Sequence, residues 1–164
     1  MKTLLVVWHS MTGGTQQMAH AAEAGANKEA GAVAVRLVRA VDAGPDDVLA
    51  ADGYLFATPE NLAAMSGLMK DFFDRTYYAA LDRINGRPYA TLICAGSDGS
   101  NAARQIERIA TGWRLRRVAE PLIVCTHAQT PAAILRMKQI TPADLGRCEE
   151  LGAAIAAGLE IGVF

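Results

Sequence analysis

The stretch of sequence that decides the fold spans residues 3 to 16 and reads TLLVVWHSMTGGTQ. Residues 3 to 8 form a largely apolar run that is too short for a helix, which indicates a strand buried on both faces. The loop that follows combines three hydroxyl side chains with two glycines, and it leads into a helix-compatible stretch from Thr15 to Lys28. A strand that passes through a loop into a helix is typical of an α/β fold.

The same alternation recurs along the rest of the chain. Four more apolar, β-rich runs are predicted to be strands, at residues 32–38, 53–58, 89–95 and 122–126. Helix-compatible stretches follow them at residues 45–50, 66–78, 100–111 and 142–159. Because right-handed crossovers place helices on the two faces of a parallel sheet, the pattern predicts a doubly wound α/β sandwich. Ligands of such sheets bind at the carboxyl ends of the strands, so the loops there are the candidate site.

Composition excludes several classes of protein. The chain has 164 residues, of which 51% are hydrophobic and 20% are charged, and we expect one folded domain over residues 1–164. A net charge of −1 argues against a nucleic-acid-binding protein. The basic segment Arg114 to Arg117 is interpreted as a solvated loop or sheet edge, with recognition of an adenosine phosphate as the alternative.

Cysteine usage and hydropathy point to a compartment. The three widely spaced cysteines, Cys94, Cys125 and Cys148, fit neither a disulfide framework nor a metal site. We therefore expect a reducing, cytoplasmic environment and no metal. The sequence shows no pattern of an export signal or of a membrane span.

The first loop, His9 to Gln16, has the composition of an anion site. Its glycines allow backbone N–H groups to turn inward, its hydroxyls can donate hydrogen bonds, and a helix N-terminus favours negative charge. It lacks the lysine of a nucleotide-hydrolysing P-loop and the glycine spacing of a dinucleotide site. An ordinary tight turn with Thr12 or Thr15 as helix cap is the competing interpretation.

Two further loops occur at the same predicted edge. One follows Thr58 and reads PENLAAMSGLMKDFFDR over residues 59–75, and the other follows Ala95 and reads GSDGSN over residues 96–101. With the first loop, these residues resemble the flavodoxin-like superfamily of FMN proteins, and within it the NAD(P)H-dependent FMN reductases and WrbA-type quinone reductases. The resemblance covers Lys2 to about Thr126. It implies a five-stranded parallel sheet of order 2-1-3-4-5 with helices on both faces.

The resemblance also implies which residues contact FMN. The phosphate would be held by Ser10, Met11, Thr12, Gly13, Gly14 and Thr15. The walls of the isoalloxazine pocket would be Pro59, Glu60, Asn61, Leu62 and Ala63. The loop over the ring and the ribityl chain would be Ala95, Gly96, Ser97, Asp98 and Gly99. A carboxylate of Glu60 that pointed toward the flavin would lower its reduction potential.

The function that this resemblance implies is hydride transfer from NADH or NADPH, through FMN, to a quinone or a similar small acceptor. No catalytic side chain is assigned, because the flavin supplies the hydride chemistry. Expected partners are small molecules, with a homo-oligomer as a possibility. Two alternatives stay open: a flavodoxin-type electron carrier, and a binding domain that has lost its cofactor, with Ala63 crowding the pocket.

Several side chains have two interpretations from sequence alone. His9 either contacts the ligand or packs at a strand end, and Asp98 either touches the flavin or stabilises a turn. Cys94 and Cys125 lie on predicted strands, where a small buried hydrophobic role is expected.

Overall fold

The computed structural model describes residues 1–29 and 31–164. Seven strands and six helices occur among these residues. In chain order these are β1 Lys2–Trp8, α1 Gly14–Glu29, β2 Val33–Arg39, α2 Pro45–Ala50, β3 Gly53–Asn61, β4 Ala64–Met65, α3 Gly67–Ala80, β5 Pro88–Ala95, α4 Ser100–Gly112, β6 Arg116–Arg117, β7 Leu122–Cys125, α5 Pro131–Leu135 and α6 Pro142–Ile161.

The sheet confirms the predicted strand order. The order β2-β1-β3-β5, with β7 pairing β5 in parallel on the other side, corresponds to 2-1-3-4-5 when only the five predicted strands are counted. Strands β4 and β6 and helix α5 are additional short elements that the sequence pattern did not predict. Each has five residues or fewer, which is too short to show a hydrophobic period.

The register brings the carboxyl ends of four strands to one edge. Trp8 of β1 pairs with Ala57, Pro59 of β3 pairs with Cys94, and Ala95 of β5 pairs with Cys125. The three loops singled out in the sequence therefore leave the same edge of the sheet.

Each face of the sheet is covered by helices, as predicted. Leu5, Val7 and Phe56 point to one side, where Phe72, Phe73 and Trp113 pack against them. Residues one position away along the strands point to the other side, into a second core that includes Leu4, Val6, Leu55, Met18 and Ile155. No helix in the described part of the chain has both the length and the apolar character needed to cross a bilayer.

The basic segment lies at the sheet edge. Arg116 and Arg117 form β6, and the Arg117 guanidinium pairs with Glu107 and Glu120 while Arg114 pairs with Asp82. These ion pairs are exposed, and such pairs contribute little to stability.

Helices α1 and α6 pack so closely that the backbone of each lies against the backbone of the other. A methyl group at Gly25 would collide with the Glu149 carbonyl oxygen, and one at Gly152 would collide with the Ala22 carbonyl oxygen. Glycine at these two positions therefore sets the distance between the helices.

The substitution Gly152→Ala tests this contact. We expect a loss of about 1–3 kcal/mol in the free energy of unfolding, because the two helix backbones must move apart. Gly146→Ala, in the same helix with open space around it, is the control and should be neutral or stabilising by up to about 1 kcal/mol. Urea denaturation of both variants measures the difference. Equal stability of the two would contradict backbone contact between α1 and α6.

Candidate functional site

The first loop turns tightly into helix α1. The Gly13 N–H donates to Ser10 Oγ at 3.0 Å, and Gly13 has a φ of +87°, which favours glycine. At Gly14, a methyl group would lie 2.6 Å from Cys94 Sγ, so the N-terminus of α1 lies directly beside the end of β5.

Thr15 carries the most informative side chain in this loop. It is 1% exposed, and its Oγ1 has no hydrogen-bond partner. A buried hydroxyl without a partner costs free energy, and it is uncommon in folded proteins. The first turn of α1 also contains no acidic side chain to compensate the helix dipole. These residues fit an anionic ligand at the N-terminus of α1.

The second loop is a tight β-hairpin between β3 and β4. Glu60 pairs with Met65 and Asn61 with Ala64, which leaves Leu62 and Ala63 as the two central residues of the turn. Both have positive φ, 50° and 62°, in a turn that normally takes Asn or Gly. The Leu62 side chain is fully exposed beside the cavity. The hairpin therefore stores backbone strain at the candidate site.

The Glu60 carboxylate joins the second and third loops. Its Oε1 accepts from the Gly99 N–H at 2.9 Å, and its Oε2 accepts from the Ala102 N–H at 3.3 Å. Both N–H groups belong to the N-terminal end of α4, where negative charge is favourable. Each oxygen of the Glu60 carboxylate thus accepts a hydrogen bond from one backbone N–H group.

A partly buried polar network connects His9 to the second loop. His9 Nδ1 lies 2.8 Å from Ser66 Oγ, which is 3.2 Å from Thr58 Oγ1. Ser66 also accepts from the Met69 N–H and so begins helix α3. Partial burial of His9 lowers its pKa below the usual value for histidine. In this structure, His9 contacts Ser66 and is not part of the cavity wall.

The three loops surround one cavity of about 460 Å³, within the range typical of small-molecule sites. Residues predicted from sequence that line it are Ser10, Met11, Thr12, Gly14, Thr15, Pro59, Glu60, Asn61, Leu62, Ala95 and Gly96. Most of the lining surface is apolar. The cavity combines a polar end at α1 with walls suited to a flat, apolar group.

Five residues predicted as cofactor contacts lie outside the wall of the cavity: Gly13, Ala63, Ser97, Asp98 and Gly99. Gly13 is covered by Met137, and Ala63 lies in the strained turn. Asp98 is exposed and accepts from the Ser100 N–H, and hydrogen bonds from Ser100 lower the pKa of its carboxyl. Gly99 donates to Glu60 instead. Ser97 is exposed.

Five lining residues were missed by the sequence analysis: Cys94, Thr126, Ala128, Ile134 and Lys138. The first three stand at or just after the ends of β5 and β7, so the strand-end rule could have found them. Burial raises the pKa of the Cys94 thiol to about 11, so this cysteine is not a reactive thiolate. Ile134 lies in the short helix α5 and Lys138 in the irregular segment after it, and neither is long enough to show a hydrophobic period. No group of three or more metal-ligating side chains occurs among residues 1–29 and 31–164.

Comparison with known proteins identifies the family. Residues 27–130 match the model of the family described as NADPH-dependent FMN reductase. The chain belongs to this family. Among its relatives are an NAD(P)H dehydrogenase (quinone) of Acidithiobacillus ferrooxidans and a flavodoxin of Aquifex aeolicus.

The NAD(P)H dehydrogenase (quinone) is 36% identical to this FMN reductase family member over 95 residues, which cover 46% of this chain and 48% of that protein. The second is 33% identical over 99 residues, which cover 60% of this chain and 53% of that protein. The chain therefore spans about half the length of the curated relatives it matches. A flavodoxin, WrbA-like protein of Agrobacterium tumefaciens has the same fold, with a TM-score of 0.73 at 18% identity over 98% of this chain and 99% of that chain.

The strain in the hairpin of this family member can be relieved by glycine. Ala63→Gly should raise the free energy of unfolding by about 0.5–1 kcal/mol, because glycine adopts positive φ without the steric cost. Ala64→Gly, one residue later in β4, should lower it by about 0.5–1 kcal/mol. Thermal denaturation of both variants tests the difference in sign. A loss of stability in Ala63→Gly equal to that in Ala64→Gly would contradict strain at residue 63.

Removing the Glu60 charge tests the connection between the loops. Glu60→Gln should lower stability by about 1 kcal/mol and should speed amide exchange at Gly99 and Ala102, because a neutral amide oxygen is a weaker acceptor and one donor is left without a partner. Glu150→Gln, at an exposed position of α6, is the control. Unchanged exchange at both amides in Glu60→Gln would contradict the role of Glu60 as a cap on α4.

Proposed function

We propose that this chain binds FMN in the cavity and transfers hydride from NADH or NADPH to a quinone or a similar small acceptor. The observation that supports the proposal most directly is the buried, unpartnered Thr15 hydroxyl at the N-terminus of α1, which lines a cavity with largely apolar walls. A phosphorylated ligand with a flat heteroaromatic group combines the two chemistries that this cavity offers.

At the polar end, we assign the phosphate to the loop from Ser10 to Thr15. The free N–H groups at the start of α1 would donate to phosphate oxygens, and the Thr15 hydroxyl would gain the partner that it lacks. The turn at Gly13 and the close approach of Gly14 to Cys94 leave no space for larger side chains there.

At the apolar end, the ring would lie between the hairpin and the end of β5. Pro59 and Leu62 supply one wall, and the small residues Ala95 and Gly96 supply the other. When bound, a flavin supplies hydride acceptance and donation, so the protein needs only to bind, orient and shield the ring. Because Glu60 already has two N–H donors, its charge is partly compensated and its effect on the flavin potential is smaller than that of a free carboxylate.

The relatives support the electron donor and acceptor in the proposal. The matched family is described as NADPH-dependent, and one relative is named for quinone reduction with NAD(P)H. The match covers only about half of that relative's length, so we propose the quinone as acceptor from a partial likeness.

A flavodoxin-type electron carrier is the second candidate, and it is favoured by the 33% identical relative named flavodoxin. The net charge of −1 favours the enzyme, because carriers of this type are typically strongly acidic. Loss of the cofactor through crowding by Ala63 receives no support from the geometry, since Ala63 does not line the cavity.

Titration with FMN tests the proposal, and the variant Thr15→Val tests the anion site within it. Because the Thr15 hydroxyl has no partner in the free protein, Thr15→Val should leave its stability unchanged or raise it, while FMN binds about tenfold or more weakly. Thr76→Val, which removes a buried hydroxyl that donates to the Phe72 carbonyl, is the control and should bind FMN as the native chain does.

Anaerobic mixing of the FMN-loaded protein with NADH or NADPH separates the two candidate functions. Rapid bleaching of the visible absorption of the oxidised flavin, followed by its return on addition of a quinone, is expected for the enzyme. Persistent absorption would favour the electron carrier. Absence of any FMN binding by the native chain would overturn both.

A further inference from the structure

The segment that follows β7 returns to the first loop and is attached to it. The Lys138 N–H donates to the Thr12 carbonyl at 2.8 Å, and Gln17 Nε2 bridges the carbonyls of Gly13 and Lys138 at 2.9 and 2.8 Å. Gln17 Oε1 also accepts from the Ile140 N–H. These bonds fix the backbone of residues 138–140 against the first turn of α1, although more than 120 residues separate Gln17 from Lys138 in sequence.

The Lys138 side chain lines the same cavity as Thr15. Its Nζ donates to Thr12 Oγ1 at 3.1 Å and to the carbonyl oxygens of Ile134 and Arg136, each at 2.6 Å. All three acceptors are neutral. The ammonium group is therefore held at the edge of the anion site, with its charge directed toward oxygen atoms that do not neutralise it.

The other lysines of the chain behave differently. Of the four, Lys2 pairs with Asp52, Lys28 with Glu149 and Lys70 with Asp74. In the part of the chain that the structure describes, no carboxylate lies within ion-pair distance of Lys138. Lys138 is thus the one lysine there whose charge has no partner, and it lies beside a helix N-terminus that also has none.

We propose that Lys138 is the cation of the anion site and makes the cavity selective for a phosphorylated flavin over riboflavin. The proposal rests on the flavin-binding function above and adds a specificity-determining residue to it. Residues 10–15 contain no lysine or arginine, so a full positive charge beside the phosphate would come from a distant part of the chain. The phosphate would take one of the three ammonium donors in place of a neutral acceptor, since a charged acceptor is favoured over a neutral one.

A purely structural role is the alternative, because Lys138 also holds the end of α5 through the Ile134 and Arg136 carbonyls. The two roles differ in their effect on riboflavin, which has the same ring and no phosphate. Displacement of α5 would move Ile134, a lining residue, and so would weaken FMN and riboflavin equally. Loss of the charge would weaken FMN alone.

The experiment measures the dissociation constants of FMN and riboflavin by flavin fluorescence at low salt. Lys138→Gln keeps a hydrogen-bond donor and removes the charge, Lys138→Arg keeps the charge, and Lys70→Gln is the control. We expect Lys138→Gln to weaken FMN by about 10- to 100-fold with riboflavin within twofold. Lys138→Arg should restore most of the preference, and Lys70→Gln should match the native chain.

Equal effects of Lys138→Gln on both ligands, or no effect on FMN, would overturn the proposal. So would a native chain that binds FMN no more tightly than riboflavin, although flavin binding itself would then stand. A native chain that binds neither ligand would instead refute the proposed function.

A measurement on the native chain gives an answer even where Lys138→Gln does not fold. The rate of acetylation of each lysine can be followed by mass spectrometry with saturating FMN and with saturating riboflavin. FMN should slow acetylation of Lys138 about tenfold relative to riboflavin and should leave Lys70 unchanged. Equal protection of Lys138 by the two ligands would overturn the proposal.

Discussion

The position of helix α1 is the constraint on which the rest of the site depends. Its backbone lies against α6 at Gly25 and Gly152, and its first residue lies against Cys94 at the end of β5. Helix α1 therefore cannot slide or tilt without a collision at one of these glycines. As a result, the free N–H groups of its first turn stay at the edge of the sheet formed by the carboxyl ends of the strands. The β3–β4 hairpin and the loop after β5 lie at the same edge.

The unusual side-chain and backbone features of the structure lie at that same edge. Thr15 has an unpartnered buried hydroxyl, Leu62 and Ala63 adopt positive φ without glycine, and Lys138 carries an uncompensated charge. The unpartnered hydroxyl and the positive φ angles cost free energy in the free protein, whereas the two cores on either side of the sheet are regularly packed. Such costs are typical of sites that are stabilised when a ligand binds. A phosphate would give the Thr15 hydroxyl a hydrogen-bond partner and the Lys138 ammonium a negatively charged one.

Sequence patterns predicted most of the fold because the main strands are short apolar runs that alternate with longer helix-compatible stretches. The five predicted strands and five predicted helices all occur, with ends that differ by at most three residues from those in the structure. The candidate site was predicted in part, because strand ends and glycine-rich turns are local signals. The contributions of Ile134 and Lys138 depend on long-range contacts to Thr12 and Gln17, and no local pattern encodes those. Likewise, the bonds from Glu60 to α4 require the folded arrangement of two loops.

The N-terminus of α1, with Thr15 and Lys138, is the proposed binding site for the phosphate of a flavin. The ³¹P NMR spectrum of FMN in the presence of excess protein tests it most directly, since the phosphate of a monoester titrates with a second pKa of about 6 in solution. We expect a shifted resonance that stays in the dianionic position as pH falls through 6, because the site would stabilise the charged form. A resonance at the position of free FMN that titrates normally would contradict it.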